Sequence, residues 1–413
     1  MQNNFKIKSL VFINDSLGEL DWISPFINKT SEEDYHFYIF LNLPGKDDFE
    51  KKKIFDQYFN KSSHIEYINN NIRIPKQLIL LDRYINSLLR RAGAISFSIL
   101  RFLRFLADKL RFLVSQLIFQ KKNLCRFDIV FRDYNLKDSF ALSYLMQANI
   151  DAKVCIFPHS TAIQSNNKNT KKNPPKKIKA HLFLENTDLS THFSKSYKEI
   201  FLSSGSPQIE TYVSNEDVLF DLNSKSILFI TRNCDPRFFG LTYENAGKVF
   251  EDTLIWAKEN NFKVYVKHHP RDSRLDFWRS IQRSYKNVYE IKKSLNNFII
   301  PIEFSFCFYT SACLLLTARK VPVFDVSPYC GDVKKLPFHY HDSFGNITHE
   351  LVEQKMCGQL SDLSDFLKNY NKNYLVEASK EQFEALIKNF PQNSFEIIDK
   401  SLKELFINEN VLR

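Results

Sequence analysis

Short apolar runs that stop at polar or proline-bearing turns recur along this 413-residue chain, with helical periodicity between them. This alternation constrains the fold most. A strand that must return through a helix lies parallel beside the strand before it, so the chain reads as parallel α/β layers. The expected strands are 7–13 (IKSLVFI), 36–43, 63–68, 77–81, 127–131, 152–157, 180–184 and 199–202, then 226–230, 262–267, 288–291, 304–309 and 321–326. Helices are expected over 17–26, 137–147, 243–260 and 274–284, and through the tail 360–406. No internal repeat is visible. At 48.7 kDa the chain exceeds one ordinary domain and suits two, 1–210 and 211–413, joined near 205–225.

Composition narrows the class. Glycine numbers 9 and phenylalanine 39, and neither a Walker A loop nor a GxGxxG fingerprint is present. Hydrophobic residues at 44% and charged residues at 25% exclude a disordered chain, a collagen-like repeat and a polytopic membrane protein. The net charge of +10 fits an anionic partner: nucleic acid, a membrane surface or a phosphorylated substrate. The cysteines (125, 155, 234, 307, 313, 330 and 357) are odd in number and form no CxxC pair. They read as buried reduced thiols, with no metal site expected. The first 13 residues are strand-like and lack the apolar core of a signal peptide, so a cytosolic location is expected.

In open parallel sheets, ligands bind beyond the carboxyl ends of strands, and the unusual residues of this chain fall there. The strongest signal is Tyr265-Val266-Lys267-His268-His269-Pro270-Arg271-Asp272, a strand running into two histidines, a proline and flanking cations. The second is Phe308-Tyr309-Thr310-Ser311-Ala312-Cys313, which ends a strand in two hydroxyls and opens a helix. The third, Phe229-Ile230-Thr231-Arg232-Asn233, runs into one cation. In the first half, Cys155-Ile156-Phe157-Pro158-His159-Ser160-Thr161 ends a strand in a histidine. There too, Asp15-Ser16-Leu17-Gly18-Glu19-Leu20-Asp21 sets carboxylates after the first strand.

The KHHP segment, followed about forty residues later by TSA, a helix and KVPV, resembles the C-terminal half of bacterial capsule glycosyltransferases. In the Kdo- and sialyl-transferring members, an HP motif and a Ser/Ser-Thr motif bind the cytidine monophosphate of a CMP-sugar. The layout is also similar to the teichoic acid glycerophosphotransferases, which use CDP-activated donors. The resemblance is firm over roughly residues 225–330. It implies an α/β fold of the GT-B type, two Rossmann-like domains facing a central cleft, with the acceptor on 1–210 and the donor on 211–413. It implies a CMP-activated keto-sugar acid, Kdo or a sialic-acid-like nonulosonate, transferred with inversion and without metal to a cell-surface glycan or glycolipid. A CDP-glycerol or CDP-ribitol polyol-phosphate transferase is the alternative. One departure stands out: the acidic D/E-D/E-G motif of the N-domain is replaced by Pro158-His159-Ser160.

The chemistry of such a transfer sorts the candidates. No convincing DxD motif is present, and the residues expected to bind the donor and its leaving phosphate without metal are Arg232, Lys267, His269, Pro270 and Arg271 together with Thr310 and Ser311. The acceptor hydroxyl needs a base near neutrality. His159 is the first candidate, with Glu19 and Asp21 as rivals and Asp133 after them. No cofactor is expected.

Segment 83–122 carries nine Lys/Arg against one acid, Asp108. Arg90, Arg101, Arg104 and Arg111 return to one helical face, the pattern of a helix on an anionic membrane surface or of a merely solvated stripe. The protein is therefore expected on the cytoplasmic face of the cytoplasmic membrane. A nucleic-acid partner is not expected, since no RNP, KH or helix-turn-helix signature occurs.

Overall fold

The computed structural model describes residues 6–14, 17–43, 45–68, 126–133, 145–146, 149, 151–158, 180–187, 200–234, 241–269, 272–292, 294–308, 310–329, 339–341, 347–360 and 363–410. The expected strand 77–81, the expected helix 137–147 save for residues 145 and 146, and the basic segment 83–122 lie outside the described residues.

The first half builds a seven-stranded, wholly parallel sheet from β1 (Ile7–Asn14), β2 (Tyr35–Asn42), β3 (Ile65–Tyr67), β4 (Ile129–Asp133), β5 (Lys153–Phe157), β6 (Leu182–Glu185) and β7 (Phe201–Ser203). Its order is β3-β2-β1-β4-β5-β6-β7. β1 is largely apolar on both faces, as a strand buried on both sides requires, and Leu10 to Ile13 are completely buried. Helix α1 (Leu17–Lys29) buries Leu20, Trp22, Ile23, Phe26 and Ile27 against that core. Helix α2 (Asp48–Tyr58) starts at a capping box in which Asp47 and Glu50 satisfy each other's backbone N–H groups.

The crossing to the second half is helix α3 (Pro207–Ser214), capped by Ser206 with Pro207 in the first turn. A second sheet follows, from β8 (Ser226–Ile230), β9 (Lys263–Lys267), β10 (Val288–Glu290), β11 (Phe304–Cys307), β12 (Val323–Asp325) and a short last strand at Gly358–Gln359. Its order, β10-β9-β8-β11-β12 and then the last strand, is parallel throughout and repeats the plan of the first sheet. Helices α4 (Tyr243–Glu259) and α5 (Leu275–Gln282) cover one face, where Trp278, Phe250, Phe229 and Phe308 interlock at ring distances of 4.8–6.0 Å. Helix α6 (Ala312–Ala318) lies on the other face with Leu314 and Leu316 buried.

Chain order and packing part company at the end. Helix α7 (Lys372–Asn389) packs on α6, but α8 (Ser394–Asn410) returns to the first half. There Ile398 and Leu402 join the first core, and Asp399 accepts a hydrogen bond from Tyr35 (2.9 Å). The chain thus crosses twice. At the crossings Glu210 accepts from the Ser394 hydroxyl and the Phe395 N–H.

Candidate functional site

Strand order in the second sheet reverses between β8 and β11, so a crevice opens beyond their carboxyl ends. Thr231 and Arg232 follow β8, His268 and His269 follow β9, and Thr310 and Ser311 follow β11. Parallel pairing runs one residue past the strands, since the Thr231 N–H donates to the Lys267 carbonyl (3.0 Å). His268 is buried. Its Nε2 meets the Gln282 amide nitrogen at 2.9 Å, and an amide nitrogen can only donate. The ring proton therefore sits on Nδ1 and is donated to Thr231 Oγ1 (2.9 Å). Burial, with Arg279 and Lys267 adding to it against Glu290 and Asp272, lowers this imidazole's pKa and keeps it neutral. His268 is a structural pin between β8, β9 and α5.

The turn after it is pinned as firmly. Asp272 accepts from Tyr243 (2.6 Å), the Trp278 indole (2.7 Å) and the Arg274 N–H (2.9 Å), while its own N–H closes onto the His269 carbonyl (3.0 Å). The Tyr243 hydroxyl also lies 2.9 Å from the Asn233 side-chain amide, so it ties the loops after β8 and β9 together. His269 and Arg232 are half-buried just beyond the ends of β9 and β8. Pro270 and Arg271 lie outside the described residues. Thr310 Oγ1 accepts the Ala312 N–H (3.3 Å), and the Ser311 side chain makes no capping bond to α6.

Opposite stands the first half. Glu19 is fully buried, with Oε2 accepting the Asn14 N–H at the end of β1 (2.5 Å). Asp133 is buried at the end of β4. His159 lies outside the described residues, one position beyond buried Pro158. Asp21, half-buried on α1, reaches the second half. Its Oδ1 accepts from Tyr58 (2.8 Å), from Asn296 Nδ2 (2.6 Å) and, at the limit of 3.5 Å, from Ser294. Burial pushes the carboxyl up to about 6, against the pull of these three donors and of Lys267. Burial in turn lowers the Lys267 ammonium, which Asp21 and Glu290 oppose. An acid from the first half and a cation from the second thus face each other electrostatically across the junction.

The model of the alpha-2,8-polysialyltransferase family matches residues 113–320, just over half of the chain. The chain belongs to the alpha-2,8-polysialyltransferase family. It is therefore a glycosyltransferase, which joins a nucleotide-activated sugar to a glycan. No curated protein matches the sequence. Among solved structures, a protein assigned as a UDP-N-acetylglucosamine 2-epimerase of Listeria monocytogenes superposes with a TM-score of 0.57 at 13% identity, over 98% of each chain. The Neisseria meningitidis UDP-GlcNAc 2-epimerase bound to UDP-GlcNAc gives 0.56 at 12%, over 96% of this chain and all of its own. A variant of the wall teichoic acid polymerase TagF gives 0.54 at 11%, over this whole chain and 92% of its own. At such identities the likeness establishes the fold: GT-B, two Rossmann-like halves.

In this polysialyltransferase-family chain, Arg232, Lys267 and His269 stand with Thr310 and Ser311 at or just beyond the ends of β8, β9 and β11, and cations and hydroxyls are residue types suited to an anion. Among the described residues, no three His, Cys, Asp or Glu side chains converge as metal ligands, and no helix is long and apolar enough to cross a membrane. Sequence reasoning missed Tyr58, Ser294 and Asn296, the partners of Asp21. A signal existed for two of them, because Ser294 and Asn296 also follow a strand, β10.

Proposed function

We propose that this protein transfers a CMP-activated keto-sugar acid of the sialic acid type to a glycan or glycolipid acceptor, by a metal-independent displacement with inversion. The donor occupies the half beyond about residue 210 and the acceptor the half before it. The observation that carries this reading is the cluster of Lys267, His269 and Arg232 with Thr310 and Ser311 at the ends of β8, β9 and β11, facing Asp21 of the first half. The cations and hydroxyls neutralise the cytidine monophosphate as the bond from its phosphate oxygen to the anomeric carbon breaks. The acceptor oxygen attacks that carbon and its proton passes to the base.

Three features favour Asp21 over Glu19 and His159 as the base. Glu19 is consumed in the core, whereas Asp21 faces the donor half, and its carboxyl is held at about 6, where a base works near neutral pH. All the bonds it accepts from described residues go to Oδ1, leaving Oδ2 to take the proton. The enzyme works as a peripheral protein at the cytoplasmic membrane face, where segment 83–122 with its basic stripe meets anionic lipid.

Thermal shift with CMP, CDP, UDP and GDP tests the donor assignment, because a ligand of the native state raises the melting temperature by mass action. CMP is expected to stabilise the wild type. His269→Ala and Ser311→Ala should lose most of that shift and about 10²-fold in turnover of a CMP-sialic acid donor. Stabilisation by UDP or GDP alone would refute the assignment, and a preference for CDP-glycerol would redirect it to polyol-phosphate transfer.

A further inference from the structure

Among the described residues, Asn296 makes the shorter of the two hydrogen bonds by which the second half grips the candidate base of the first. Its amide is fully committed: Nδ2 donates to Asp21 Oδ1 at 2.6 Å, while Oδ1 accepts from Gln208 Nε2 at 2.7 Å. Gln208 lies on α3, the helix by which the chain crosses between the halves. With its Oδ1 receiving the Gln208 amide, the Asn296 side chain cannot flip, so its N–H₂ must point at Asp21.

The backbone beneath Asn296 is also clamped. It sits in a single 3-10 turn, Leu295–Asn297, and the buried Arg319 reaches under that turn from the end of α6. Arg319 Nη1 donates to the carbonyls of Phe298 (2.6 Å) and Leu295 (3.4 Å), and Nη2 pairs with Asp217 (2.9 Å). The position of Asn296 is thus referred to α3, to α6 and to the last turn of the linker. A short polar turn on its own would not be held so tightly.

We propose that Asn296 is a positioning residue supplied by the donor half of the same chain. It fixes Asp21 Oδ1 so that Oδ2 faces the acceptor, and it completes the base only when the two halves are closed on each other. This rests on the reading of Asp21 as base. Tyr58 from α2 holds the same oxygen within the first half, and Ser294 contributes the longer bond from the turn itself. The other ionisable groups facing the Asp21 carboxyl are Lys267 from β9 and Tyr212 from α3. An open arrangement leaves Tyr58 in place and removes Asn296, Ser294 and Lys267 together. The carboxylate is then held by Tyr58 alone, and hydrolysis or transfer without a correctly seated donor half is suppressed.

The test combines kinetics with a readout that needs no substrate. In protein labelled with ¹³C-aspartate, the Asp21 carboxyl resonance is assigned by its loss in Asp21→Asn and titrated in wild type and in Asn296→Ala. Losing a donor to the charged form must raise the Asp21 midpoint in Asn296→Ala. With CMP-N-acetylneuraminic acid and an α2,8-linked oligosialic acid, Asn296→Ala should lose at least about tenfold in kcat. The acid limb of its profile should move to higher pH, while CMP affinity stays within about twofold. Asn296→Asp, which sets two carboxylates against each other, should be worse than Asn296→Ala above pH 6 and approach it below. An Asp21 midpoint that stays put or falls in Asn296→Ala overturns the proposal. So does a loss of CMP affinity and folding stability in step with kcat, which would make Asn296 a packing residue. If Asp21→Asn remains active, the base assignment itself fails. If Asp21→Asn is dead and Asn296→Ala is unaltered, the base stands and the positioning role falls.

Discussion

Between about pH 4 and pH 6 the folded protein holds a proton on Asp21 that the unfolded chain has released, because burial raises the folded carboxyl to about 6 while an unfolded aspartate titrates near 3.9. The native state binds the extra proton in that window, so this group's contribution to stability falls as the pH rises through it. Above 6 the buried charge carries its full cost. Asp21→Asn keeps an oxygen for Tyr58 and Asn296 and removes the charge, so the variant should be more stable than wild type at pH 7.5. The gap should close as the pH is lowered to about 4. The same variant should lose about 10²-fold or more in turnover, the scale of a missing general base, with CMP affinity nearly intact. Urea unfolding at several pH values on the assayed preparations checks both. A variant less stable at pH 7.5 would mean that the carboxylate is a net clasp between the halves. His268 shows the opposite balance. Both its nitrogens are bonded and it is kept neutral, so of the two histidines after β9 the first serves the fold, while the second stays half-buried.

The elements that set the spacing of the halves are the linker before α3 and the turn before α8. Gly205 adopts φ +77°, a left-handed conformation that costs an L residue strain. A Cβ on it would lie 2.6 Å from the Pro391 carbonyl oxygen and 3.0 Å from the Ser394 side chain. Here glycine is required twice over, by torsion and by the close approach of the two crossing chains. Gly205→Ala should therefore cost about 1–3 kcal/mol in denaturant unfolding. It should also weaken transfer more than CMP binding, because the crevice of the second half is built independently of this crossing. A variant unfolding at the wild-type midpoint would show that the crossing yields without strain. Helix starts, by contrast, are set locally: Asp47 with Glu50, Thr242 and Asn371 each cap the helix that follows, although helix α2 behind Asp47 was not expected. Helix α3 was not expected, since eight residues behind a proline offer too little periodicity to separate from a loop.

For the molecule as a whole, the +10 charge and the basic segment 83–122 argue for an anionic surface as well as an anionic substrate. Replacing Arg90, Arg101, Arg104 and Arg111 together by Gln should release the protein from anionic vesicles, at about 1 kcal/mol per charge removed. Co-sedimentation at low salt measures this, and wild-type protein that ignores such vesicles would reduce the stripe to a solvated face. The two parallel sheets could be read from the sequence because their buried strands are continuous apolar runs such as SILFI and IKSLVFI, and because ligand sites gather at strand ends. The same rule singles out Arg232, Lys267, His269, Thr310 and Ser311, which stand at or just beyond the ends of β8, β9 and β11. Which acid would meet them could not be read so. Glu19 and Asp21 stand two residues apart on α1, and 3.6 residues per turn point them in different directions, one into the core and one toward the other half. Nor could the grip of Asn296 on Asp21 be read, 275 residues away in sequence, or the return of α8 to the first core. Local periodicity fixes strands, helices and their ends because those energies are set within a few neighbouring residues. The pairing of an acid with its distant partners depends on how two finished sheets are set against each other, and only the tertiary structure decides that.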